Sequence, residues 1–153
     1  MKVLSVKQPW ASHIMHGTKT CENRDWHPGK ALAIGERFAI HATKHDKNWR
    51  NLWLELPFMS IDQWHEYNAL VAARSRVSVL EELKFGLILG TCTFRGAFPY
   101  GSPEAPREET FTNHSHKYSA YHWHVTDPEW FADPIPAKGK LRIWHTEEKG
   151  VLI

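Results

Sequence analysis

Ser5-Val6-Lys7-Gln8-Pro9-Trp10-Ala11-Ser12, followed a few residues later by Gly17-Thr18-Lys19-Thr20-Cys21-Glu22-Asn23-Arg24, sets the architecture of the chain. Lys2 to Val6 reads as a short strand. Pro9, with φ fixed near the helical value and no N–H to lose, suits the first turn of a helix. That helix carries Trp10, Ile14 and Met15 and stops at Gly17, where a residue tolerant of positive φ lets the backbone turn out. Lys19 to Trp26 then reads as extended chain, broken by Pro28-Gly29. Side chains alternate along an extended segment, so Glu22 and Arg24 share a face.

Downstream, Arg37 to Ala42 alternates Phe38, Ile40 and Ala42 against Arg37, Ala39 and His41, the pattern of a half-buried strand with one face in the core and the other available. Trp49 to Leu56 reads as one helix. Ser60-Ile61-Asp62-Gln63 has the form of a capping box opening a second helix through about Ala73, with Ile61, Trp64, Tyr67 and Val71 as its apolar stripe. Phe85 to Phe94 returns to strand, and Gly86 and Gly90 mark bends or bulges of the kind that curl a sheet. Gly101 to His116 is a polar loop, long enough to be a lid. Tyr121 to Val125 and Lys140 to Trp144 read as the last two strands, connected through Asp127-Pro128, Pro134, Pro136 and Gly139. The expected fold is α+β, mainly β: a mixed β-barrel with attached helices, formed by one domain over residues 1–153 with a helical insert at about 47–84.

Composition agrees with one folded unit. The chain has 153 residues, 42% hydrophobic and 24% charged, with eight Trp and seven Phe; that supports one core and not two. A net charge of +2 gives no case for wrapping long nucleic acid through its phosphates alone, although eleven His add charge in acid and should strengthen polyanion binding as pH falls. Cys21 and Cys92 form no C-x-x-C pair, so neither a disulfide framework nor a cysteine zinc site is indicated. No apolar h-region follows Met1 and no apolar run reaches about 18 residues, so the expected location is cytoplasmic, with no membrane contact.

The quoted opening resembles that of ASCH-domain proteins, whose signature is G-x-K-x-x-E-x-R, matched here by Gly17, Lys19, Glu22 and Arg24. The strand at Gly86 to Thr93, Trp123 followed by Asp127-Pro128, and Pro134-Ile135-Pro136 with Gly139 and Trp144 look like the remainder of that family. The resemblance implies a PUA-like barrel with a cleft beside the first helix, lined by the signature, in a superfamily that binds RNA. Some similar proteins are amidohydrolases acting on acetylated cytidine, and others have been described as ribonucleases. The amidohydrolase branch carries threonine at the position of Glu22, and this chain departs from it there.

The first reading is therefore a binding module for short single-stranded RNA, a nucleotide or a nucleoside. Lys19 reaches phosphate as a mobile point charge at the mouth, Glu22 orients the Arg24 fork, Trp10 offers a stacking face, and His41 supplies a pocket hydrogen bond. Trp26 is a weaker stacking candidate. The second reading is a hydrolase, either a ribonuclease or an amidohydrolase of a modified nucleoside such as N4-acetylcytidine, with Lys19 as base or nucleophile and Glu22 handling protons. A second carboxylate would come from Glu104, Glu108 or Glu109. The third is a protein-interaction domain built on Trp49, Trp53, Phe58 and Trp64.

His114-x-His116 and His122-x-His124 have the alternate spacing of strand ligands but no Cys partner, and no metal is assigned to them. No P-loop, G-x-S-x-G or G-x-G-x-x-G occurs, so no cofactor is expected.

Overall fold

The computed structural model describes residues 1–8, 10–17, 19–44, 84–105 and 120–152. Pro9, the two helices expected within 47–84, the aromatic cluster around Trp49 and Trp64, and residues 106–116 of the polar loop, including Glu108, Glu109, His114 and His116, lie outside the described residues.

Strand β1 (Lys2–Val6) runs parallel to β3 (Arg37–Ala42), with Val3 opposite Ala39 and Val6 opposite Ala42. Its other edge takes β6 (Ile143–His145) antiparallel. The parallel pairing requires a crossover, and helix α1 (Trp10–Met15) begins it. Gln8 fixes the helix start. Its side-chain oxygen accepts from the Ser12 amide at 3.0 Å, while its Nε2 donates to the Lys84 carbonyl at 2.9 Å. One orphan donor of the first turn is thereby satisfied. Ala11, Ile14 and Met15 face the core. The Gly17 amide donates to Ile14, and Gly17 takes φ 72°, the turn expected of it.

β2 (Cys21–Arg24) pairs antiparallel with β5 (Tyr121–Pro136), and β5 pairs in turn with β4 (Leu87–Pro99). The sheet order is β2-β5-β4-β3-β1-β6, a single curled sheet forming a half-barrel.

The sequence placed a connection at Asp127-Pro128 and at Pro134 and Pro136, yet β5 runs through all of them. Bulges absorb Pro128 and Pro134, and Pro136 is the last residue of the strand. Thr91 pairs with Glu129 and Thr93 with Thr126, so Asp127 and Pro128 together oppose Cys92, and the missing amide of Pro128 falls where the ladder is already interrupted. Asp127 takes φ 50° there. Pro134 lies in a wider shift, between the Gly90–Trp130 and Ile88–Ile135 pairs.

Gly90 sits at this shift because a Cβ would strike the Glu129 carbonyl and lie 2.7 Å from Met15 Cε. Its lack of a side chain lets strand β5 and the end of α1 close over β4.

β3 keeps its expected bounds, but both of its faces are covered. Phe38, Ile40 and Ala42 join Leu4, Leu89, Phe94 and Trp123 in the main core. Ala39, on the opposite face, joins Val3, Ile88, Phe131 and Trp144 in a smaller one. Alternation had sorted the faces correctly; it could not tell that the second face, which carries His41, is also covered.

Candidate functional site

A cleft of about 720 Å³ opens where the curled sheet brings edge strand β2 back toward the end of β1. Trp10, Lys19, Glu22, Arg24 and His41 all line it, together with Ser5. Gly17 does not. It lines a neighbouring cavity of about 180 Å³ that also touches Lys19, Asp127 and Pro128.

The floor is a chain of charges. Glu22 Oε1 lies 2.9 Å from Arg24 Nη2, as expected of two residues on one face of a strand, and Glu22 Oε2 lies 3.6 Å from Lys19 Nζ. Arg24 Nη2 also donates to the Ser5 carbonyl at 2.7 Å, bridging β2 to β1 across the seam.

Lys19 is not a mobile charge at the mouth: it is 4% exposed. Its amide donates to the His13 carbonyl and its ammonium donates to the Cys21 carbonyl, so carbonyl and carboxylate together replace the water it has lost. Its Nζ stands 6.0 Å from the centre of the Trp10 ring.

The Nε of Arg24 is buried, and among the described residues no acceptor meets it. A buried donor left in this state costs about 1–3 kcal/mol.

His41 is fully buried and not at the surface. Its Nε2 lies 3.2 Å from the Ala137 carbonyl, which can only accept, so Nε2 carries the proton and Nδ1 accepts from the Ser5 hydroxyl at 3.2 Å. Ser5 Oγ in turn accepts from Trp144 Nε1 at 3.1 Å. Burial lowers the pKa of His41 against the opposing effect of the Ala137 bond, so the ring is held neutral. His41 is thereby tied to Ser5 in the cleft lining.

The sequence model of the ASCH domain family matches residues 4–134. The chain belongs to the ASCH domain family. ASCH domains are members of the PUA-like superfamily, in keeping with the curled half-barrel, and membership points to nucleic-acid binding in general.

In this ASCH domain several residues singled out in the sequence stand away from the cleft. Glu104 lies on an exposed turn after β4 and is not part of the lining. His122 is buried against Tyr100, ring centres 5.6 Å apart, and among the described residues no group of three or more His, Cys, Asp or Glu could hold a metal ion. Trp26 meets Trp123 edge-on at 4.7 Å, and the Arg142 guanidinium lies 5.3 Å from its ring centre. That contact occupies a face a base would need. Among the described residues no helix is long and apolar enough to cross a membrane.

Two parts of the ASCH cleft were missed. Ser5 looked like an ordinary strand residue. The segment Lys138-Gly139-Lys140-Leu141-Arg142 was divided between a connection and a strand, whereas all five residues line the cleft. Its alternating cations were the available signal. It lies beyond the span matched by the family.

Proposed function

We propose that this ASCH domain binds RNA, or a nucleotide, in the cleft floored by Lys19, Glu22 and Arg24. The observation that carries the reading is the linked charges of Lys19, Glu22 and Arg24 that together line the cleft. Glu22 and the Ser5 carbonyl fix the partly exposed guanidinium in place, so its fork is held ready for a phosphate or base oxygen. The cleft volume lies within the range of small-ligand sites, about 300–1,000 Å³. Trp10, half-buried at the edge, offers its ring to a base.

Titration calorimetry with cytidine monophosphate and with a short single-stranded RNA tests the reading. Arg24→Lys keeps the charge and removes the fork; it should weaken binding at least about tenfold, the equivalent of about 1.4 kcal/mol, in protein that a thermal unfolding curve shows to be folded at the titration temperature. Wild-type protein that binds neither ligand overturns the proposal.

One observation favours the hydrolase reading as an extension: Lys19 and Glu22 are buried side by side in the cleft, and such a pair of side chains is of the kind that general acid–base chemistry uses. Incubating the protein with the RNA and with N4-acetylcytidine decides it. Product formed by wild type and absent with Lys19→Ala makes the domain an enzyme; bound but unchanged ligand makes it a reader.

A further inference from the structure

Among the described residues the lining of the cleft contains one carboxylate, Glu22, and Glu22 is already paired with Lys19 and Arg24. Around this floor stand five more cations, Lys7, Lys44, Lys138, Lys140 and Arg142, contributed by three separate segments of the chain. The lining thus carries seven cations against one anion, an excess of six, while the whole chain is only +2. Elsewhere on the surface Lys2 meets Glu36, Arg37 meets Glu129 and Arg95 meets Asp127. Among the described residues none of the five rim cations has an ion-pair partner.

Two of them are held in place. Lys140 Nζ stands 5.6 Å from the ring centre of Trp144, and the Arg142 guanidinium 5.3 Å from that of Trp26. Arg142 takes φ 59°, a left-handed conformation that a non-glycine residue adopts at a cost. Gly139 anchors the same segment: a Cβ there would lie 2.6 Å from His41 Cε1 and 3.0 Å from Ser5 Oγ, so only glycine lets the chain press against the cleft wall. Cations held by their own fold lose less freedom on binding than solvated lysines do.

We infer that these five residues form a phosphate-binding rim, and that the ligand is a single-stranded oligonucleotide with one nucleotide in the cleft and its neighbouring phosphates on the rim. The inference rests on the nucleotide-binding reading of the floor and extends it. A neutral nucleoside would leave the rim unused, and a lone monophosphate would occupy only part of it. A concave basic surface with low-dielectric walls concentrates such a ligand before any base contact forms. An acidic peptide would answer the charge but would gain nothing from the Trp10 ring.

The test measures the affinity of a single-stranded RNA of about eight nucleotides across a series of salt concentrations. It compares wild type with Lys138→Gln/Lys140→Gln/Arg142→Gln, and with Lys7→Gln/Lys44→Gln as a second variant should the first unfold. Each phosphate deprived of its cation should flatten the slope of log affinity against log salt by about 0.7, so the triple variant should flatten it by about 2. Its affinity for cytidine monophosphate should fall much less. RNA bound with an unchanged slope in the variants overturns the rim and leaves the floor standing; so does an acidic peptide of equal charge that binds as tightly as the RNA. Monophosphate binding indifferent to Arg24→Lys overturns the floor instead.

Discussion

Glu22 is the residue on which the floor depends, because it is the one carboxylate between two cations and is itself only 7% exposed. Breaking a buried pair from one side leaves an uncompensated charge. Glu22→Gln should therefore cost about 3–5 kcal/mol in urea unfolding. Adding Lys19→Met should restore part of that loss, since it removes the orphaned ammonium. A Glu22→Gln protein as stable as wild type would show that water still reaches the pair. The meeting of Glu22 with Arg24 was legible because alternation is a local property of extended chain. The burial of Lys19 was not, because it follows from α1 and β2 folding over it. His41 was expected on an available face of its strand, and the structure buries it, since the second core that covers it comes from distant strands.

At the level of elements, β3 was legible to the residue, and β5 was cut short by its own prolines. Proline argues against a strand only where the ladder needs its amide, and β4 and β5 are out of register at Pro128 and Pro134. The segment after β5 offers a sharper test of packing. In Gly139→Ala the new methyl must displace a His41 ring that is tied at both nitrogens, so the protein should lose about 1–3 kcal/mol, the usual cost of overpacking. The same change should weaken RNA binding, because Lys138, Lys140 and Arg142 move with the segment. Unfolding curves and the RNA titration, run on one preparation, check both effects. A stable variant with normal binding would mean that the segment is not held by this packing.

For the whole molecule, the proton inventory sets a limit on acid. Burial, with help from His16 and Lys19, lowers the pKa of His13 to about 4, and burial lowers that of His41. The unfolded chain takes up these protons near pH 6.5 while the folded protein refuses them, so it is the unfolded state that binds more protons in the interval below. Stability should be complete above about pH 6.5 and lost as pH falls toward 4, by on the order of 3 kcal/mol from His13 alone. Urea midpoints at successive pH values measure it, and His13→Gln should flatten the dependence. His13 and His41 therefore do not add to the anion-attracting charge of the protein in mild acid. Overall charge gave no hint of the cleft, because a sum over the chain hides an excess of cations in one concavity and their balance elsewhere.

The sheet is joined across its seam by a side chain: Arg24 reaches the Ser5 carbonyl, and among the described residues β2 has β5 as its one ladder partner. On the proposed function, a ligand oxygen taken by the Arg24 guanidinium would become part of that wall, a keystone set in from outside. Occupancy should then be written into the backbone itself. The amide protons of Cys21 to Arg24 should exchange with heavy water more slowly in the loaded protein than in the empty one, and this short strand would report the presence of an unlabelled guest.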